Sequence, residues 1–343
     1  MKKNKKSALA AITLMLMFTF ASGAAAQSDA AGPHDAQTLF LRNWLGSSNP
    51  PKPIRQHAAT ATVAASQADA DPLAPVKTKV YKFATTDYPG AALSVAYDIN
   101  KGTVIGLYSF PSSPPYSSFT VKGGIFHPLQ VPGVTNTEAL GSNTLGQIVG
   151  DYTDQGGTDH GFLYESGHFT TVDNPFSSGP TTLYDISDSG VMVGTWMSIG
   201  DTRLRGLAGP VGSMKPVDFP GAFHTAVLGV NSGGDIVGYW IAPNATWPAF
   251  HGFRPSKGSL ISLDYPGALA TVAFGINDNG DIAGWYYTDG GSITHGFIYS
   301  GGSFRTVDVP GAVSMVLTRI KNNLQITGDF VDTAGEIHGF YGH

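Results

Sequence analysis

The sequence predicts an all-β fold, a six-bladed β-propeller of four-stranded blades closed by an N-terminal outer strand, and three observations carry that expectation. A proline, usually within Asp-X-Pro-Gly, recurs at Pro89, Pro132, Pro175, Pro220, Pro266 and Pro310. A glycine after a mostly apolar pair recurs at Gly106, Gly150, Gly194, Gly238, Gly284 and Gly328. Both anchors repeat at about 44 residues, the size of one propeller blade, a unit that buries its apolar faces only against its neighbours. The third observation is composition: 44 glycines in 343 residues and only 13% charged residues suit many short strands joined by tight turns.

Taken in chain order, residues 1–26 read as a secretory signal. Lys2, Lys3, Lys5 and Lys6 precede an apolar run from Ala8 to Phe20, and small residues end at Ala24-Ala25-Ala26. The run is too short for a membrane span. Its removal predicts a secreted or periplasmic protein and takes the formal net charge from −5 to −9, which disfavours nucleic acid as a partner. With no cysteine, neither a disulfide framework nor thiolate chemistry is available. Residues 27–78, rich in Ala, Ser and Pro, read as a flexible linker, in which Leu39-Phe40-Leu41 and Trp44-Leu45 form one apolar patch.

From 79 to 343 each unit carries four strand-sized pieces, a to d, bounded by turn residues. In the fifth unit these are Thr271 to Asn277, Asp281 to Tyr287, His295 to Tyr299 and Ser303 to Asp308. The repeat region opens with a lone d strand, Lys79 to Asp87, and closes with a c strand around Gly339-Phe340-Tyr341. A ring reconciles the two ends: the first d strand completes the last blade, and no full-length edge stays exposed.

Residue types found in every unit belong to blade geometry. The Asp two places before the proline (Asp87, Asp173, Asp218, Asp264, Asp308, with Gln130 as the exception) reads as a turn cap. Asn277-Asp278-Asn279-Gly280-Asp281 reads as a hairpin turn, since no twelve-residue calcium frame follows. His-Gly-Phe opens strand c at His160, His251, His295 and His338, with Ser117 and Arg205 at the equivalent places. Equivalent positions in neighbouring blades lie ~10 Å or more apart, too far to share a zinc ion, so these histidines are expected to bond nearby loops. No metal or cofactor site is expected. The aromatics two places after the glycine (Tyr108, Tyr152, Trp196, Trp240, Tyr286, Phe330) are expected to pack between blades.

Departures from the repeat are the better site candidates. Trp196, Trp240, Trp247 and Trp285, beside Arg203 and Arg205, form a candidate binding arc on the b-to-c loop face, suited to stacking on a sugar or a peptide. In the innermost strand, Gly141, Gly229 and Gly275 are replaced elsewhere by Asp98, Asp185 and Arg319. Arg319 and Asp98 are expected to pair, and Asp98 with Asp185 is the weaker candidate for a catalytic carboxylate pair in the axial channel.

Gly146 to Gly150 and Gly234 to Gly238, His160 to Tyr164 and His295 to Tyr299, and Thr306 to Ala312 together resemble the bacterial extracellular HAF repeats. The resemblance covers 79–343 and implies export and a repeat scaffold, with no catalytic residue to carry over. It departs in having Gly where the family name implies Ala, and in lacking the histidine in the first and third units. The expected function is a non-enzymatic binding module for an extracellular polysaccharide or protein surface, with a glycan hydrolase or lyase using the axial channel as the alternative.

Overall fold

The computed structural model describes residues 80–343 apart from 111–112, 135, 246–248 and 289–292. The expected signal segment, the linker and Trp247 lie outside the described residues. Within them the chain is all-β, with no helix, and four-stranded antiparallel sheets repeat along it.

The first unit holds β2 (Leu93–Asn100), β3 (Thr103–Phe110), β4 (Ser113–Lys122) and β5 (Ile125–Leu129). The second holds β6 (Asn136–Ser142), β7 (Ile148–Thr153), β8 (Asp159–Glu165) and β9 (His168–Thr171). The third runs through β10 (Thr181–Ile186), β11 (Met192–Trp196), β12 (Arg205–Gly209) and β13 (Lys215–Val217). β14 (His224–Val230), β15 (Ile236–Ile241), β16 (His251–Ser256) and β17 (Ser259–Leu263) make the fourth. β18 (Ala270–Ile276), β19 (Ile282–Tyr287), β20 (His295–Ser300) and β21 (Ser303–Val307) make the fifth, each boundary within one residue of the sequence reading.

The last unit contributes only β22 (Ser314–Ile320), β23 (Ile326–Val331) and β24 (Ile337–Gly342). Its fourth strand is β1 (Phe83–Thr85), which pairs antiparallel with β24 through Phe83–Gly342, Ala84–Tyr341 and Thr85–Phe340. Backbone bonds extend this pairing: Thr86 N–H donates to Gly339 O at 2.8 Å, and Lys82 and His343 exchange bonds at 3.1 Å. A single parallel bridge, Leu93 to Ile337, links this sheet to the first unit. The innermost strands touch in chain order, β2 to β6, β6 to β10, and so on to β22, which in turn touches β2.

Every innermost strand carries the same irregularity. The a–b register slips at Ala96/Asp98, Ala139/Gly141, Leu183/Asp185, Val227/Gly229, Ala273/Gly275 and Leu317/Arg319. A bulge inserts one unpaired residue and re-aims its side chain. The inserted residues include Tyr97, Leu140, Tyr184, Leu228 and Phe274, all members of one central apolar cluster. Beyond the bulge, space is tight: a Cβ on Gly141 would lie 2.6 Å from the Cα of Asp185.

The repeated Asp is used differently from the expected turn cap. Its carboxylate meets the strand-c histidine: His160–Asp173 at 2.8 Å, His251–Asp264 at 3.2 Å, His295–Asp308 at 2.8 Å. Arg205 replaces histidine against Asp218 at 3.3 Å, and in the first unit Ser117 and Gln130 depart together. The last pair, His338–Asp87 at 3.0 Å, joins the two ends of the repeat region. The turn itself is held by a hydroxyl at the start of strand a, as where Thr225 accepts from Phe219 N–H at 3.0 Å and Thr271 from Tyr265 N–H at 2.9 Å.

The strand-b aromatics pack between neighbouring units, as expected: Tyr152 lies with Ile105 and Leu129, Trp196 with Val149 and Val172, Trp240 with Val193 and Val217, and Tyr286 with Val237 and Leu263. Three of the set also stack on the residue before the preceding proline. Tyr88 lies on Tyr108 at 3.7 Å and 3°, Phe219 on Trp240 at 4.6 Å and 4°, and Tyr265 on Tyr286 at 3.6 Å and 4°. At these three positions the residue before the proline staples its turn to the next strand b.

Candidate functional site

The axis carries two sets of groups, one at each end of the innermost strands. At the a–b hairpin end, a hollow of about 480 Å³ is lined from every unit, by Asn100, Thr144, Asp188, Ser232, Asp278 and Asn322 among others. Its rim is tied between units: Asp188 accepts from Thr144 N–H at 2.8 Å, Asp278 accepts from Ser232 N–H at 2.8 Å, and Asn322 donates to Asp278 at 2.7 Å.

Asp185 and Arg319 line the base of this hollow, Asp98 lies against Ser142 and Lys321 of its lining, and all three are buried. The expected Arg319–Asp98 pair is replaced by two others. Lys321 reaches Asp98 at 2.6 Å, while Arg319 Nε lies 3.6 Å from Asp185. Arg319 is instead the axial plug. Its guanidinium donates to Phe274 O and Leu140 O at 3.3 Å, to Thr318 O at 2.9 Å, and to Tyr184 O, carbonyls of four different units. A rigid fork with five donors suits this task; a lysine does not.

Both carboxylates are occupied. Asp98 accepts from Ile99 N–H at 2.8 Å and from the amide and hydroxyl of Ser142 at 2.9 Å. Burial raises its titration, but Lys321, Arg319 and these hydrogen bonds outweigh that and hold it below the usual carboxylate range. Asp185 accepts from Ile186 N–H at 2.9 Å and Val230 N–H at 3.0 Å, and burial, only partly offset by Arg319, pushes it up.

Among the described residues, Trp196, Trp240 and Trp285 do not form one exposed aromatic arc. Trp196 and Trp285 are buried, at 6% and 1% exposure, and Trp285 belongs to the central cluster. Trp240 is half-buried between Phe219 and His251. The physical reason is the two-residue period of a strand: Trp285 follows Gly284 directly, whereas Trp196 and Trp240 stand two places after their glycines and point to the opposite face. Arg203 and Arg205 are engaged by Asp218 at 3.3 Å, and Arg203 also donates to Phe223 O at 2.9 Å.

The other end of the axis holds residues that the sequence reading passed over. The position directly after the strand-b glycine faces the central cluster, as Leu107, Tyr239 and Trp285 do. In β7 it is Asp151, whose register partner across β6 is Glu138. Both are buried, as is Asp159 at the start of β8. Glu138 Oε1 accepts from Asn136 at 3.0 Å and Asp159 from Thr153 at 2.8 Å. Among the described residues, Glu138 Oε2 and both oxygens of Asp151 have no hydrogen-bond partner. Burial, opposed by the Asn136 bond and reinforced by Asp159, pushes Glu138 up to about 8; burial also lifts Asp159 to about 6 and Asp151 well above its usual value. The signal was in the text: Glu138 alone is acidic where the other units have Val95, Thr182, Ala226, Val272 and Val316.

One further set, Asp332, Glu336 and His338, brings ligand atoms within 4.8 Å of one another. Asp332 is already accepting three loop amides at 2.8 Å and His338 is held by Asp87, so this set orders its loop.

No protein family matches the chain, and no curated relative matches it. Among solved structures, the chain is similar to virginiamycin B lyase from Staphylococcus aureus, at 9% identity and TM-score 0.43 over 76% of this chain and 88% of that one. It is also similar to the β-propeller domain of the Trilobed protease from Pyrococcus furiosus, at 10% identity and TM-score 0.43 over 72% and 83%. The Aleuria aurantia lectin is similar at 10% identity and TM-score 0.46, over 75% of this chain and 93% of that one.

Proposed function

We propose that this chain is an exported six-bladed β-propeller of the HAF-repeat type, closed by its own N-terminal strand, that serves as a non-enzymatic binding module for an extracellular glycan. The closed contact circuit of the innermost strands, the β1–β24 pairing and the His338–Asp87 pair support the ring. The N-terminal basic-then-apolar pattern supports export.

The observation that carries the function is the polar hollow on the axis, to which every unit contributes amide, hydroxyl or carboxylate groups. Such a ring of small donors and acceptors matches the hydroxyls of a sugar. The site therefore moves from the b-to-c loop face, for which Trp196, Trp240 and Trp285 are buried or stacked, to the a–b hairpins. The catalytic alternative at Asp98 and Asp185 loses support because backbone amides, Ser142, Lys321 and Arg319 already engage both groups.

The test is retention of the mature chain on immobilised cell-wall and exopolysaccharide material. Thr144→Trp and Ser232→Trp place bulk at the exposed rim without touching the core. Loss of retention with unchanged thermal unfolding supports the hollow as the site, and undiminished retention removes it.

A further inference from the structure

The interior carboxyl pair of β6 and β7 lacks what buried acids ordinarily have. Register partners on one sheet face hold their Cβ atoms about 4.5–5.5 Å apart, so Glu138 and Asp151 face the same small region. Asp151 is 0% and Glu138 2% exposed, and three of their four oxygens have no donor. Among the described residues no lysine or arginine pairs with either. Arg319, the buried axial cation, is turned to carbonyls and Asp185.

Around them the wall is aromatic. Tyr97, Tyr184, Phe274, Tyr239 and Trp285 belong to the same central cluster, with Tyr97 and Tyr184 each about 6 Å from Phe274 (6.3 and 6.4 Å) and Tyr116 packed against it. Burial first, and then the charges of neighbouring groups including Glu138 and Asp151, raises the titration of both Tyr97 and Tyr184. Trp285 Nε1 is a second buried group in the cluster with no partner.

Unpaired oxygens able to accept several N–H bonds, inside an aromatic wall and without a protein cation, are the complement of an ammonium group. We propose that Glu138 and Asp151 form an interior binding site for a small organic ammonium, such as a primary amine or an amino sugar, on the d–a and b–c loop side of the Arg319 plug. This site is distinct from the glycan hollow and independent of it. The carboxylates take the ammonium hydrogens, and the tyrosine and tryptophan faces enclose the alkyl or sugar body. A neutral sugar leaves the buried charge uncompensated and binds poorly.

The experiment is thermal unfolding of the full chain at mildly alkaline pH with butylamine, 1,4-diaminobutane and glucosamine, and with glucose as the neutral control. The expected result is a saturable rise of several degrees with at least one amine and none with glucose. Asp151→Asn, which keeps shape and removes charge, is expected to abolish the rise while the protein stays folded by circular dichroism. Absence of a saturable rise with every amine, a rise that persists in Asp151→Asn, or an equal rise with glucose overturns the proposal.

Discussion

Replacing Glu138 by glutamine isolates the electrostatic consequence of burying an acid without a cation. An ordinary glutamate loses its proton near 4.5, whereas in the fold this one is pushed up to about 8, first by burial. The folded state therefore keeps a proton that the unfolded chain has released, so this group's contribution is intact below 4.5 and is lost as pH rises through about 8. At ~1.4 kcal/mol per pH unit the loss is roughly 3 kcal/mol by pH 7 and approaches about 5 kcal/mol above pH 8. That is a large share of the ~5–15 kcal/mol that holds a typical domain together. Glutamine keeps the shape and cannot ionise, although its amide leaves one donor to satisfy at about 1–3 kcal/mol. The pH slope, not the absolute stability, is the readout. Urea unfolding from pH 5 to pH 8 is expected to show a markedly shallower fall in stability for Glu138→Gln, and a shallower one still for Glu138→Gln with Asp151→Asn. Equal slopes in the parent and Glu138→Gln refute the reasoning, because they require the carboxyl to titrate normally inside the fold.

Three further outcomes follow from the same contacts. Deleting residues 80–87 removes β1, its ladder to β24, the Phe83–Phe340 contact at 5.5 Å and the His338–Asp87 pair, and is expected to unfold or oligomerise the chain, read by sedimentation and circular dichroism. Arg319→Leu strips four carbonyls of their donor and leaves Asp185 buried without its cation, for a loss of about 3–5 kcal/mol in chemical denaturation; adding Asp185→Asn is expected to recover part of it. His251→Ala removes a histidine whose titration the Asp264 hydrogen bond raises against the effect of burial, so its destabilisation is expected to be greatest below pH 6.5 and to fade as pH rises past the folded value, followed by thermal unfolding at several pH values.

Sequence reading reached far into the fold because a repeated motif reports the same local physics several times. The turn glycine in Asn277-Asp278-Asn279-Gly280 (φ 78°) and the pairing of Phe83–Thr85 with the chain's far end both followed from residue type and order. The site was less legible. Whether Trp285 meets solvent or the axis depends on which face of β19 it occupies, and a single-residue offset from Trp240 reverses the answer. Glu138 and Asp151 stand far apart from Tyr97 and Trp285 in the sequence, and only the contacts among the innermost strands bring β6 together with the strands that carry the central cluster.

The sequence by itself determined the period, the strand order and the need for the first strand to complete the last sheet, since turn chemistry and alternating burial act over a few residues. The tertiary structure alone decided which charges meet. Lys321 rather than Arg319 reaches Asp98, and Arg319 bonds carbonyls of four units, because the repeated bulge turns each innermost strand and sets the direction of every axial side chain. Burial, a property of the whole fold, then left Glu138 and Asp151 without a cation among the described residues.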